Sequence, residues 1–199
     1  MKKTRFEAIA KYYDFFTKLL MMGTYGAVRE KIVSSGGGDL ALDLCCGTGY
    51  VTGHIRARHV VGLDLTQGML DVNRSKNRSN PSVSLIKGDA YTLPFKDDTF
   101  DSVYFTLASH EFRNVAPILR DANRVLKKGG RIVIYDIFKP DNPLIKAYMV
   151  FVKHVVEFGK CWIYDLEEWR ELLRRAGFKD VETQVLYKAS VLLHGRKAR

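Results

Sequence analysis

The run Ala41-Leu42-Asp43-Leu44-Cys45-Cys46-Gly47-Thr48-Gly49 decides how this chain folds. Apolar residues around a single acid read as a short buried strand, and Gly47-Thr48-Gly49 reads as the tight turn that follows it and opens a helix. Glycine in such a turn lets the backbone approach a small ligand at the carboxyl end of a strand, where α/β folds bind. A lone Gly-x-Gly serves any strand-to-helix turn, so its meaning rests on the residues downstream.

Outward from that run, strands and helices alternate. Residues 40–44 form strand one and 48–57 begin the next helix; residues 60–64 form strand two, followed by a helix to about Arg78. Strand three is 83–87 and strand four is 102–106. A helix over 115–126 ends at Lys127-Lys128-Gly129-Gly130, cations and glycines that suit a helix C-terminus. Strand five is 131–137, and an aromatic-rich helix covers 143–159. Asp165 and Glu168 spell a capping box for another helix, which ends at Ala176-Gly177. Residues 181–186 and 189–194 close as two strands around a turn at Tyr187-Lys188. Repeated βα units ending in a hairpin predict an α/β fold, a mostly parallel sheet with helices on both faces. Its ligand crevice belongs at the carboxyl ends of strands one and four, the switch point.

Three acids fall at strand ends. Asp43 ends strand one, Asp64 ends strand two about twenty residues on, and Asp89 follows strand three in Lys87-Gly88-Asp89-Ala90. An acid at Asp64 can accept hydrogen bonds from ribose hydroxyls, strengthened by its charge. Asp89 can accept from an adenine amino group while the Ala90 N–H meets a ring nitrogen. A dinucleotide loop reads Gly-x-Gly-x-x-Gly to seat pyrophosphate. Here Gly53 comes one position late and bulky Tyr50 follows the turn, which suits an adenosine ligand without pyrophosphate.

Phe6, Ile9, Ala10, Tyr13, Phe16 and Leu20 recur at helical spacing, so residues 5–21 read as an amphipathic helix. A second helix covers 24–34, and Gly36-Gly37-Gly38 reads as a linker between this N-terminal helical extension (1–38) and the core (39–199) of a single domain (1–199). The 199 residues, 46% hydrophobic and 27% charged, are enough for one sizeable core. Glu7, Lys11, Asp14 and Lys18 interrupt the amino end, and no charge-free run reaches the roughly 18 apolar residues of a membrane span, so the expectation is a cytoplasmic protein. Cys45 and Cys46 are adjacent and Cys161 stands apart, which spells neither a disulfide framework nor a Cys-x-x-Cys zinc site and leaves a three-thiolate site assembled in space as an open alternative. Lys and Arg number 32 against 22 Asp and Glu, a net charge of +10 that favours anionic surfaces or simply a solvated exterior.

Together these motifs resemble the class I S-adenosylmethionine-dependent methyltransferases. The resemblance rests on Leu42-Asp43-x-x-Cys46-Gly47-Thr48-Gly49, Val61-Gly62-x-Asp64-x-Thr66-x-x-Met69-Leu70, Gly88-Asp89-Ala90-x-x-Leu93-Pro94-Phe95, Phe100-Asp101 and Arg124-Val125-Leu126-Lys127-x-Gly129-Gly130. It implies a Rossmann-like sheet of seven strands with an antiparallel last strand. It also implies S-adenosyl-L-methionine as cofactor, bound by Tyr13, Asp43, Cys45, Gly47, Thr48, Gly49, Asp64, Leu65, Met69, Asp89, Ala90 and Thr106. Cys45 stands where that family often has a glycine or another small residue.

A closer likeness is to the ubiquinone/menaquinone biosynthesis C-methyltransferases. Ala10-Lys11-Tyr12-Tyr13-Asp14 with Leu20-Met21-Met22-Gly23 is similar to their amino end, and Phe112-Arg113-Asn114-Val115 to their Leu-Arg-Asn-Val. Phe138-Lys139-Pro140, Asn142-Pro143-Leu144 and Val191-x-Leu193-His194 also match. Two departures touch the acceptor. A short insertion surrounds Ala108-Ser109-His110, and the stretch from Pro143 to Asp165 is shorter and lacks the family's tyrosine-rich motif.

The resemblance implies methyl transfer to carbon or oxygen of a small aromatic or quinol-type acceptor. His110, just after strand four, is the candidate base. Arg113 and Asn114 resemble the family pair that orients a phenolic hydroxyl. Tyr12, Tyr13, Phe16, Tyr148, Phe151, Trp162 and Tyr164 are placed to line a lid, of which Tyr13 and Tyr164 are assigned to the site. The basic surface fits peripheral contact with an anionic membrane. Other acceptors (a phospholipid amine, arsenite, nucleic acid) and a non-catalytic cofactor-binding module remain open. Nucleic acid is not expected, because strand four is not followed by Asn/Asp-Pro-Pro-Tyr and the chain leaves no room for a separate RNA-binding domain.

Overall fold

The structure, a computed structural model, describes residues 5–20, 24–139, 161–187 and 189–199. Its sheet contains β1 (Gly38–Leu44), β2 (Ala57–Asp64), β3 (Val83–Lys87), β4 (Phe100–Thr106), β5 (Leu126–Ile137), β6 (Phe178–Val185) and β7 (Ser190–Lys197). The order is β3-β2-β1-β4-β5-β7-β6. The first five strands pair in parallel, and β7 lies antiparallel between β5 and β6. The Rossmann-like α/β sheet with its closing hairpin is therefore as the sequence predicts.

Five helices are described: α1 (Arg5–Leu20), α2 (Tyr25–Ser34), α3 (Gln67–Lys76), α4 (Ala116–Val125) and α5 (Leu166–Arg175). Successive strand residues face opposite ways, which sorts the core into two layers. Leu42, Leu44, Val103 and Phe105 pack on one side with Ile118 and Leu119 of α4 and Trp169 and Leu173 of α5. Ala41, Tyr104 and Val133 pack on the other side with Val28, Ile32 and Val33 of α2. The capping box forms as predicted. Asp165 accepts the N–H of Glu167 and Glu168 at 2.9 and 2.8 Å, and Glu168 Oε2 accepts the Asp165 N–H at 2.7 Å. A cap of this kind stabilises a helix by about 1 kcal/mol.

Three expectations change. The helix expected over 48–57 is only a 3₁₀ turn, Thr52–His54. Gly47 and Gly49 have left-handed φ of 50° and 84°, and the Thr52 hydroxyl is drawn down to Asp43 Oδ2 at 2.6 Å, so this stretch wraps around the acid instead of coiling away. The run Lys127-Lys128-Gly129-Gly130 does not end α4. Leu126 turns extended (ψ 142°), pairs with Phe100, and starts β5 through a register shift against β4. The Gly36-Gly37-Gly38 run is no linker. Gly38 is already in β1, and a Cβ there would lie 2.5 Å from Asp101 Cβ. The Ser102 hydroxyl donates to the Gly37 carbonyl at 2.9 Å. The helix expected over 143–159, with Tyr148 and Phe151, lies outside the described residues, as does the segment Met21-Met22-Gly23.

Candidate functional site

The crevice opens where β1 and β4 run side by side, with Leu44 opposite Phe105, and their connections leave in opposite directions. The residues just past these strand ends are strained. Cys45 has φ 57° and Leu107 has φ 52°, left-handed values that cost a non-glycine residue roughly 1–2 kcal/mol. Each bends its loop sharply away, and the Leu107 N–H is caught by the Tyr135 carbonyl at 2.7 Å. No periodicity in the sequence signals either bend.

Asp64 is the pin of the glycine loop. Its Oδ2 accepts the Gly47 N–H at 2.9 Å and its Oδ1 accepts the Thr66 N–H at 2.8 Å. Burial raises its pKa, opposed by these backbone donors. The Thr66 hydroxyl and the Leu65 N–H also face this carboxylate, so the loop after β2 and the glycine loop are both gathered on one acid. A Cβ on Gly47 would meet nothing within 4 Å, so the loop backbone adjoins open space there.

Gly49 is constrained from both sides. Its φ is 84°, and a Cβ would lie 2.5 Å from Asn73 Oδ1. Asn73 cannot yield, because its Nδ2 donates to Gly47 O at 3.3 Å and Thr52 Oγ1 at 3.0 Å while its Oδ1 accepts from Asn77 at 2.8 Å. Gly49→Ala is expected to destabilise the protein by about 1–3 kcal/mol in urea unfolding. An unchanged midpoint would show that the loop relaxes freely.

Asp43 forms the floor beneath this loop. It is fully buried, and its Oδ2 accepts from Thr52. Its Oδ1 has no hydrogen-bond partner among the described residues. Burial pushes its pKa up to about 7, against the Thr52 hydrogen bond and helped by the nearby Asp64 charge. Burial and these same carboxylates raise the Cys45 and Cys46 thiols well above their ordinary range, which keeps them protonated packing residues.

α1 is tied across the loop. Thr48 Oγ1 donates to Asp14 Oδ1 at 2.5 Å, and Asp14 also pairs with Lys76 of α3. Tyr13, half-buried, sits next to this tether, whereas Tyr12 is exposed. Met69 is buried in α3 and Thr106 at the end of β4. Leu65 is 55% exposed after β2 and Tyr91 42% exposed after β3, while Ala90, next to Tyr91 in the chain, is buried. Asp89 is exposed, and its Oδ1 accepts the Tyr91 N–H at 2.9 Å.

On the other side of the crevice, His110 lies in a 3₁₀ turn, Ser109–Glu111, after β4. Its Nδ1 is 2.6 Å from Asp136 Oδ1 on β5. Arg113 and Asn114 are exposed. The Asn114 side chain accepts the Ala116 N–H at 3.2 Å and opens α4, while its carbonyl accepts from the Tyr91 hydroxyl at 3.2 Å. Phe112 stands between Tyr91 and Phe105, with ring centroids at 5.4 and 6.0 Å, and makes an aromatic wall. Tyr164, half-buried, packs edge-on against Trp169 at 5.3 Å with its hydroxyl 3.5 Å from the Arg113 carbonyl. Trp162 donates its N–H to the His110 carbonyl at 2.8 Å, which ties the segment before α5 to the same turn.

The residues expected at Asp43, Gly47, Gly49 and Asp64 thus converge, and His110 stands at the neighbouring strand end. Sequence reading missed Asp136, Asp14 and Asn73. Asp136 carries the clearest signal, an acid inside the apolar run Ile132-Val133-Ile134-Tyr135-Asp136-Ile137.

Residues 2–174 match the ubiE/COQ5 methyltransferase family. The chain is 33% identical over 183 residues to the demethylmenaquinone methyltransferase of Staphylococcus aureus (strain JH9), a match covering 87% of this chain and 76% of that enzyme. A SAM-dependent methyltransferase from Thermotoga maritima shares the fold with a TM-score of 0.78 and 22% identity, covering 96% of this chain and 98% of that one. Phosphoethanolamine N-methyltransferase 2 of Haemonchus contortus, solved with S-adenosyl-L-methionine, shares it with a TM-score of 0.75 and 16% identity over 87% of this chain and 53% of that one. With the glycine loop, its acid pin and the switch-point crevice in place, the chain belongs to the ubiE/COQ5 methyltransferase family and is a methyltransferase.

Proposed function

We propose that this crevice transfers a methyl group from S-adenosylmethionine to carbon or oxygen of a small quinol-type aromatic acceptor. The carrying observation is the unpartnered, buried Asp43 Oδ1 under a loop whose Gly47 leaves open space. Such a buried acceptor calls for a donor or cation, and a bare backbone lets an adenosine-linked amino acid approach.

When bound, S-adenosylmethionine supplies an electrophilic methyl group on a sulfonium. Asp64 accepts from the ribose hydroxyls, and Asp89 with the Ala90 N–H meets the adenine edge between Leu65 and Tyr91. Asp43 offers its charge to the ammonium of the amino acid end. Thr48 holds α1, and with it Tyr13, over the loop. On the acceptor side His110 takes the proton that a phenolic nucleophile loses, Arg113 and Asn114 orient the hydroxyl, and Tyr164 lines the entrance. Positioning of this kind supplies most of the rate in a displacement that needs little covalent help.

The family membership and the 33% identity to a demethylmenaquinone methyltransferase support a quinol acceptor. The net charge of +10 supports delivery from an anionic membrane surface, and no helix among the described residues is long and apolar enough to cross one. The test is turnover with labelled S-adenosylmethionine and a demethylated menaquinol carried in anionic vesicles, beside phosphoethanolamine as competitor. Methylated quinol, formed faster on anionic than on neutral vesicles, is the expected product. Tight cofactor binding without any methylated quinol would overturn the acceptor and leave the methyltransferase standing.

A further inference from the structure

His110 is held by a buried carboxylate that the known features of the site do not explain. Asp136, next to last in β5, is entirely buried. Its Oδ1 lies 2.6 Å from His110 Nδ1 and accepts the Ile137 N–H at 2.7 Å. Its Oδ2 accepts the Ser109 hydroxyl at 2.5 Å and the His110 backbone N–H at 3.3 Å. Burial pushes this acid up, but the facing His110, the Ser109 hydroxyl and the Ile137 N–H together bring its pKa below the ordinary carboxylate value. Asp136 is therefore an anion taken wholly out of water and met by four donors.

A purely structural role has a cheaper solution. Removing a carboxylate from water costs several kcal/mol even after relaxation, and apolar or amide side chains of similar size usually hold such a position as well. What the anion does, and an amide would not, is dictate the proton on the ring. A carboxylate only accepts, so at 2.6 Å Nδ1 carries a proton, and it is the protonated nitrogen whenever the imidazole is neutral. The lone pair then resides on Nε2. His110 is 11% exposed, and its Nε2 lies 3.7 Å from Glu111 Oε1.

We propose that Asp136, backed by Ser109, is a positioning residue that holds His110 in the Nδ1–H tautomer, so that Nε2 is the atom receiving the acceptor's proton. This rests on the reading of the crevice as a site for an acceptor with an acidic O–H. In the step, the acceptor's O–H bond breaks, its electron pair stays on the acceptor, and the proton bonds to Nε2. The methyl group forms its new bond to the acceptor, and the electron pair of the broken C–S bond returns to sulfur. Where a ring carbon takes the methyl group, its C–H bond then breaks, the electron pair restores the aromatic ring and the proton passes through water to the phenolic oxygen. The imidazolium then lies between Asp136 and Glu111 until it releases the proton to water. The 3₁₀ turn Ser109–Glu111 supplies both the ring and the hydroxyl that braces its carboxylate. The Leu107 bend and the Trp162 N–H clamp that turn onto β5 and the segment before α5.

The test uses the full chain with Asp136→Asn, Ser109→Ala, His110→Gln and the Asp136→Asn/His110→Gln pair. The expected result for Asp136→Asn is a fall in kcat of about a hundredfold with KM within about threefold. His110→Gln should fall as far, and adding Asp136→Asn to it should cost nothing more, because the two act as one unit. Ser109→Ala should lose several-fold in kcat only. Nitrogen-15 NMR of the His110 ring should read Nδ1–H in the wild type and shift towards Nε2–H in Asp136→Asn. A folded Asp136→Asn with kcat unchanged, or a wild-type ring in the Nε2–H form, would overturn the proposal. If Asp136→Asn does not fold, the wild-type tautomer and Ser109→Ala decide. The NMR arm needs no acceptor, so failure to find a methylated quinol counts against the acceptor reading while the tautomer still decides this one.

Discussion

Asp43→Asn is expected to make the ligand-free protein more stable at pH 8 while weakening its hold on the cofactor about a hundredfold. The acid has a folded-state pKa of about 7 against an ordinary 3.8, raised chiefly by burial. A raised acid keeps its proton in the folded state where the unfolded chain has lost it. Its favourable contribution is thus full below the unfolded value and is lost as pH rises through about 7. A gap of that size is worth about 4 kcal/mol. Asparagine imitates the protonated acid at every pH, so at pH 8 the variant should gain about 2–4 kcal/mol in urea unfolding, and almost nothing at pH 4.

Cofactor binding runs the other way. The ammonium of the amino acid end beside Oδ1 favours the carboxylate, so wild-type affinity should rise with pH, by up to tenfold per unit below about pH 7, with proton release visible by calorimetry in two buffers. The variant should show neither the slope nor the proton. Equal loss of stability at both pH values would mark Asp43 as a plain structural anchor.

Asp64→Ala should cost cofactor affinity about a hundredfold. Hydrogen bonds to a charged acceptor contribute about 1.5–3 kcal/mol each, so one or two such bonds to ribose hydroxyls make up a loss of that size. The same acid holds the Gly47 and Thr66 N–H groups, so a bare loss of affinity would mix loop disorder with lost ligand contact. A cycle with the 3′-deoxy analogue of the demethylated cofactor separates them. Loss of the hydroxyl should weaken binding to the wild type by roughly tenfold and leave Asp64→Ala unmoved. If both proteins lose equally, the ribose contact is elsewhere.

Much of the fold could be read from the chain because its signals are local. Alternating apolar runs, the Asp165–Glu168 capping box and the turn at Tyr187 each depend on neighbours a few residues away. The helix expected over 48–57 failed for the opposite reason. A contact from Thr52 back to Asp43 and the two left-handed glycines outweigh helical propensity in a stretch that must also reach β2. Lys127-Lys128-Gly129-Gly130 has the composition of a helix end, yet pairing of Leu126 with Phe100 draws it into the sheet.

The candidate site divides along the same line. Asp43, Gly47, Gly49 and Asp64 are legible because strand ends in a parallel sheet come at regular spacing, and the acids mark them. Asp14 over Thr48, Asn73 under Gly47 and Asp136 behind His110 are separated from their partners by 34, 26 and 26 residues in sequence, respectively. No local pattern announces a hydrogen bond across such a distance. The order of residues determines which strands form, where their acids fall and which family the chain joins. Only the packed sheet, by laying β5 beside β4 and α1 across the loop, decides which carboxylate is buried, which is pinned and which faces a histidine.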